Sequence, residues 1–170
     1  MKQVLVLHGP NLNLLGEREP DLYGTLTLAQ INDRIQSESE RLEVKITIVQ
    51  SNHEGVLIDE LHAAREWAIG GIINPGGLSH TSVSLRDAIA AVEYPVIEVH
   101  LSNIYAREHF RRRSLTAAAS LGVISGLGWQ GYLMALQAIV SQNEQAASEG
   151  GNETGQPVGD SNRKAGRHTD

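Results

Sequence analysis

Two hydrophobic periods take turns along the chain, and their order predicts the elements. "QVLVLH" (Gln3 to His8) is a Leu/Val run with no room for a helix before Gly9-Pro10, so it predicts a buried strand. Thr27 and Gln30 then stand at capping-box spacing, and Leu28, Ile31, Ile35 and Leu42 recur at helical intervals. The couple returns: "VKITIVQ" predicts a strand, and Leu57, Leu61, Ala64 and Ala68 a helix. "GGIIN" predicts a third strand, ended by Pro75-Gly76-Gly77, and Val83, Ala88, Ile89 and Val92 a third helix. "VIEVH" and "LGVIS" predict two more strands, and Leu133, Leu136 and Val140 a closing helix.

Strands and helices that alternate over short connections imply parallel strands joined by right-handed crossovers, with helices on both faces. The expected fold class is α/β: a flavodoxin-like three-layer sandwich with a five-stranded parallel sheet in the order 2-1-3-4-5. Residues 1–143 are expected to form this domain. From Glu144 onward the chain is rich in Gly, Ser, Asn and Glu with almost no large apolar residue, which predicts a polar, disordered C-terminal tail over 144–170.

Composition narrows the partners. The 170 residues carry a formal charge of -6 and no long Lys/Arg block, which argues against nucleic acid or an anionic membrane surface. With no cysteine there is neither a disulfide framework nor a thiolate nucleophile or ligand. The run "VLVL" is too short for a signal-peptide core, and no window reaches membrane-spanning length. A cytoplasmic protein that binds small molecules and copies of itself is the expectation.

Chemistry is expected outside the carboxyl ends of the strands, where such sheets hold their ligands. The first strand ends in His8-Gly9-Pro10-Asn11, the third in Asn74-Pro75-Gly76-Gly77, and the fourth in Glu98-Val99-His100-Leu101-Ser102. Glu98 and His100 share a face, so the carboxylate can fix the imidazole tautomer and raise its basicity. His8, His53, His62, His109 and His168 read as packed or solvated.

The loop "GPNLNLLGEREPDLYG" is long enough to close as a lid, and it carries Arg18 and Tyr23. A phenol with its usual pKa of about 10 is a poor base, and a nearby guanidinium would favour phenolate. The same residues also fit a solvated turn with a packed Tyr ring. Asn11, Asn13 and Asn74 offer neutral amides for a water or a developing oxyanion, although Asn in turns is ordinary. Arg111 in "HFRRRS" could clamp substrate oxygens, with Arg112 and Arg113 on a solvated face or subunit contact. His80 and Asp87 are seven apart, which places both on one face of the third helix.

In that order, "GPNLNLLGEREPDLYG", "NPGGLSHTS", "IEVHLSN", "FRRRS" and "GLGWQGY" resemble type II 3-dehydroquinate dehydratase, over about Lys2 to Asn143. The resemblance implies conversion of 3-dehydroquinate to 3-dehydroshikimate through an enolate, with no metal or other cofactor. It makes Tyr23 the base, Arg18 the group that keeps it phenolate, and His100, oriented by Glu98, the acid that protonates the departing hydroxyl. Asn11 would hold a water on the enolate. Asn74, His80, Asp87 and Arg111 would bind the substrate's hydroxyls and ring, and the backbone amides of Leu101 and Ser102 its carboxylate. The implied assembly is a homo-oligomer, a dodecamer built from trimers, with Asp87 reaching a neighbouring site.

Other readings are weaker. "GLGWQG" satisfies G-x-G-x-x-G, but it opens the last unit of the domain, so no following strand can supply an acidic ribose partner. A flavin module would want hydroxyls in the first loop, and a phosphoacceptor would want acidic strand ends; "GPNLNLLG", His8 and Asn74 supply neither. Lys2, Lys45 and Lys164 give no good Schiff-base amine. Glu98, His100 and His80 lack the short spacing of a metal site.

Overall fold

Runs dominated by Leu, Ile and Val suit strands that are covered on both faces. In the computed structural model, which describes residues 2–17 and 25–150, they form β1 (Gln3–His8), β2 (Lys45–Gln50), β3 (Gly70–Asn74), β4 (Val96–His100) and β5 (Gly122–Ser125). The five pair in parallel in the order β2-β1-β3-β4-β5, the flavodoxin-like arrangement. Val4 to His8 and every residue of β3 and β4 are buried, whereas the edge strands β2 and β5 are only partly covered.

The helices are α1 (Leu28–Arg41), α2 (Glu54–Ala63), α3 (Leu78–Thr81), α4 (Val83–Ala91) and α5 (Gln130–Gly150). One core packs Val4, Val6, Ile72 and Val99 against α1 and α5. The other packs Leu5, Leu7 and Ile73 against α2 and α4. Ile31 and Ile35 of α1 are fully covered, each contributing roughly 2 kcal/mol. The capping box forms as its spacing predicts: the Thr27 hydroxyl accepts from the Gln30 amide at 3.2 Å, and Gln30 Oε1 accepts from the Thr27 amide at 2.9 Å.

Three local features differ from the pattern. Helix α2 tightens into a 3₁₀ turn at Ala64–Glu66, which leaves Ala68 beyond its end. The third helix is in fact two. Ser82 takes extended dihedrals (φ -99°, ψ 106°), and its hydroxyl accepts from the Leu85 amide at 2.8 Å to cap α4. His80 therefore sits in α3 and Asp87 in α4, not on one face of one helix. Finally, α5 runs on to Gly150, past Asn143, because exposed Gln145, Ala146, Ala147 and Glu149 are good helix formers without burying anything. The remainder of the tail lies outside the described residues.

Two glycines bring backbones together. A Cβ on Gly9 would stand 2.6 Å from the Pro75 carbonyl oxygen, and the Gly9 amide donates to the Asn74 carbonyl at 2.8 Å, so the loops leaving β1 and β3 lie in contact. A Cβ on Gly131 would meet Val99 and Ile124 at 3.1 and 3.2 Å. The glycine of "GLGWQG" thus serves the close approach of α5 to the sheet. Among the described residues no helix is long and apolar enough to cross a membrane.

Candidate active site

Register places the polar strand ends side by side. His8 and Asn74 are partners across β1 and β3, and Glu98 stands opposite Ile73, one residue before Asn74. Strand alternation turns His8 and Asn74 toward the α1/α5 face, and Glu98 and His100 toward the α2/α4 face. A cleft of about 180 Å³ opens over these ends. Asn11, Asn74 and His80 line it, as do His100, Leu101, Ser102 and Arg111.

Glu98 is completely buried behind His100, with His100 Nε2 at 2.6 Å from Glu98 Oε1. The Ser114 hydroxyl donates to Oε1 at 2.7 Å and the Thr116 hydroxyl to Oε2 at 2.5 Å. Burial alone would raise this carboxyl, but the hydrogen bonds from His100, Thr116 and Ser114 outweigh it and hold Glu98 below the usual carboxylate range. A carboxylate accepts from Nε2, so Nδ1 is the ring nitrogen left to exchange a proton with the cleft.

The other residues are braced from behind. Asn11 holds a left-handed backbone (φ 68°), a conformation Asn tolerates better than most residues, and its amide donates to Asn52 Oδ1 at 2.9 Å. His80 Nδ1 donates to the Arg113 carbonyl at 2.8 Å. Arg111 Nε donates to Glu108 Oε2 at 3.0 Å. Asp87 does not line its own chain's cleft; it is exposed on α4, with Arg86 Nη1 at 2.9 Å. Arg18 and Tyr23 lie outside the described residues.

Sequence reasoning missed the roles of Ser114 and Thr116, because they reach Glu98 from a non-periodic segment 16 and 18 positions away. Arg107 also lines the cleft, and the neighbouring "FRRRS" run draws attention away from it. Among the described residues no group of three His, Cys, Asp or Glu side chains stands close enough to hold a metal ion.

Of the histidines set aside as packed or solvated, His8 is fully buried. Its Nε2 lies 2.9 Å from Asn32 Oδ1 and its Nδ1 2.9 Å from the Tyr132 hydroxyl. An amide oxygen only accepts, so Nε2 carries the proton and Tyr132 donates to Nδ1. Burial pushes His8 down to about 4, against a smaller upward pull from Asn32. The unfolded chain, with His8 near its ordinary 6.5, binds the proton first on acidification. The stability that depends on neutral His8 is therefore present above pH 6.5 and falls as the pH drops toward 4. Between pH 7 and 5 the wild type should lose about 2 kcal/mol more than His8→Asn in urea titrations; parallel losses would show that His8 does not set this slope.

The class II dehydroquinase family matches residues 2–140. The chain belongs to that family. It is 55% identical over 141 residues to the 3-dehydroquinate dehydratase of Halothermothrix orenii, covering 83% of this chain and 95% of the relative. It is 56% identical over 138 residues to that of Trichodesmium erythraeum, covering 81% and 92%. The type II dehydroquinase structure from Butyrivibrio crossotus superposes with a TM-score of 0.80 at 39% identity, over 81% of this chain and 97% of that one. Family membership accounts for the flavodoxin-like strand order, and it gives no support to a flavin-binding or phosphoacceptor module of the same architecture.

Proposed function

We propose that this class II dehydroquinase is a hydro-lyase that dehydrates 3-dehydroquinate to 3-dehydroshikimate and water, a step of the shikimate pathway. The observation that carries the reading is the buried Glu98–His100 pair, held by Ser114 and Thr116, at the head of a cleft lined by amides and by Arg111. Tyr23, kept as phenolate by Arg18, removes the proton beside the ketone. Asn11 holds a water against the oxygen of the resulting enolate, and a neutral amide does this without adding charge. His100 gives its proton to the departing hydroxyl, which leaves as water while the enolate electrons form the conjugated double bond. Glu98 holds the ring in place and balances its charge.

Asn74, His80 and Arg111 bind the substrate's hydroxyls and ring, and the backbone amides of Leu101 and Ser102, both buried just past β4, take its carboxylate. The exposed position of Asp87 on α4 fits a role in a neighbouring subunit's site, within a homododecamer built from trimers. Such an enzyme works in the cytoplasm without a cofactor.

Product formation is followed by the ultraviolet absorbance of the enone. Wild-type chain should turn over 3-dehydroquinate equally well with and without a strong chelator. No turnover would overturn the assignment, and loss of activity on chelation would overturn the cofactor-free elimination.

A further inference from the structure

The segment from Arg113 to Thr116 forms neither helix nor strand, and two neighbours divide it between them. Arg113 and Leu115 turn their backbone to α3. The Arg113 carbonyl accepts from His80 Nδ1 at 2.8 Å, and the Leu115 amide donates to the Ser79 carbonyl at 2.6 Å. Ser114 and Thr116, the alternate residues, turn their hydroxyls to β4 and donate to Glu98 at 2.7 and 2.5 Å. The segment thus joins α3 to the carboxylate behind His100, and both His80 and His100 line the cleft.

Helix α3 is a firm post for these contacts. Ser79 is fully buried, and its hydroxyl donates to the Gly76 carbonyl at 2.9 Å, which ties the helix back to the turn leaving β3. The bond between Leu115 and Ser79 fixes the segment at one point, about which the chain could still pivot. The bond from His80 to Arg113 fixes a second point, and Ser114 stands between the two held residues. Arg113 is itself extended (φ -109°, ψ 114°), directly after the 3₁₀ turn His109–Arg112, so the chain enters the segment where His80 holds it. A carbonyl oxygen only accepts, so Nδ1 of His80 carries a proton and Nε2 is the ring nitrogen left for a ligand in the cleft.

We propose that His80 is a positioning residue for the catalytic acid as well as a substrate ligand: its Nδ1–H holds Arg113 and so keeps the Ser114 and Thr116 hydroxyls on Glu98, while Nε2 meets the substrate. The inference rests on the dehydratase reading and deepens it. It makes the aim of His100 depend on a side chain from another element that takes part in neither proton transfer.

Two substitutions separate the nitrogens. The amide of His80→Asn stands near the Nδ1 position and can donate to Arg113, but nothing reaches the Nε2 position; in His80→Gln the reverse holds. His80→Asn should raise KM for 3-dehydroquinate by about tenfold with kcat within about twofold, the loss of one hydrogen bond to substrate. His80→Gln should lower kcat by about fivefold to tenfold, with a smaller rise in KM. Its deficit lies in the His100 step, so exchange of the proton beside the ketone in heavy water should stay near the wild-type rate, a separation that general loosening of the fold would not give. In Ser114→Ala, where one of the held hydroxyls is already gone, the same Gln substitution should lower kcat by a smaller factor. A fall in kcat in His80→Asn as large as that in His80→Gln would overturn the positioning role, since the Asn amide keeps the bond. So would an unchanged kcat in His80→Gln, a parallel loss of exchange, or equal factors in the wild-type and Ser114→Ala backgrounds. An unchanged KM in His80→Asn would overturn the substrate contact alone, and a wild-type chain without turnover would overturn the dehydratase reading itself.

Discussion

A His100→Ala variant is expected to keep its fold and lose about 10³-fold in kcat, with KM little changed, the scale of contribution made by a positioned general acid. The fold survives because Glu98 keeps two of its three donors, Ser114 and Thr116, so the buried carboxylate is not orphaned. Turnover falls because no other described side chain stands where the imidazole does, at the end of β4 on the cleft and paired with Glu98. In the proposed elimination proton removal precedes this step, so the variant should still exchange the proton beside the ketone for deuterium in heavy water. A loss of less than tenfold in kcat, in protein with a native circular dichroism spectrum, would remove His100 from the role of acid.

Tyr23→Phe is expected to abolish both reactions, turnover and exchange, by at least about 10³-fold. Phenylalanine keeps the ring and removes only the oxygen, so the substitution isolates the base. The argument is chemical: Tyr23 is the group in the motif "EREPDLYG" whose anion would be basic enough, and Arg18 is proposed to supply the charge that stabilises that anion. The two variants separate the halves of the elimination. Exchange retained in His100→Ala and lost in Tyr23→Phe would place Tyr23 at the first proton transfer and His100 at the second. Exchange retained in Tyr23→Phe would take the base role away from Tyr23.

The strands were legible because a buried parallel strand has a simple signature. "QVLVLH", "GGIIN" and "VIEVH" coincide with β1, β3 and β4 residue for residue, since each has Leu, Ile or Val within it, a polar residue at its carboxyl end, and Gly or Pro at one end or within a few residues. The start of α1 was legible for a different reason: a capping box is written in residues only three apart. What needed three dimensions was anything set by competition or by long-range pairing. At Ser82 a helical spacing was overruled by a hydroxyl that caps the following turn. The Glu98–His100 pair could be read from alternation along one strand, whereas Ser114 and Thr116 reach it from a segment without period. Tyr132 looked like part of a glycine motif and His8 like a packed ring; only the packing of the last helix on the sheet brings the two together at 2.9 Å. The roles proposed for Arg18 and Tyr23 rest on the resemblance of their motif, because loop spacing left a solvated turn equally open.

The cleft draws on the ends of β1, β3 and β4. That arrangement has a consequence for synthesis on the ribosome. When β1 emerges it can pair with β2, but its other edge waits for β3, and β4 in turn waits for β5. Glu98 and His100, with the Ser114 and Thr116 hydroxyls that hold the pair, thus leave the exit tunnel only after most of the domain has been made. No nascent fragment that ends before Thr116 carries the complete pair and its donors, so the growing chain gains its activity in one late step instead of by degrees.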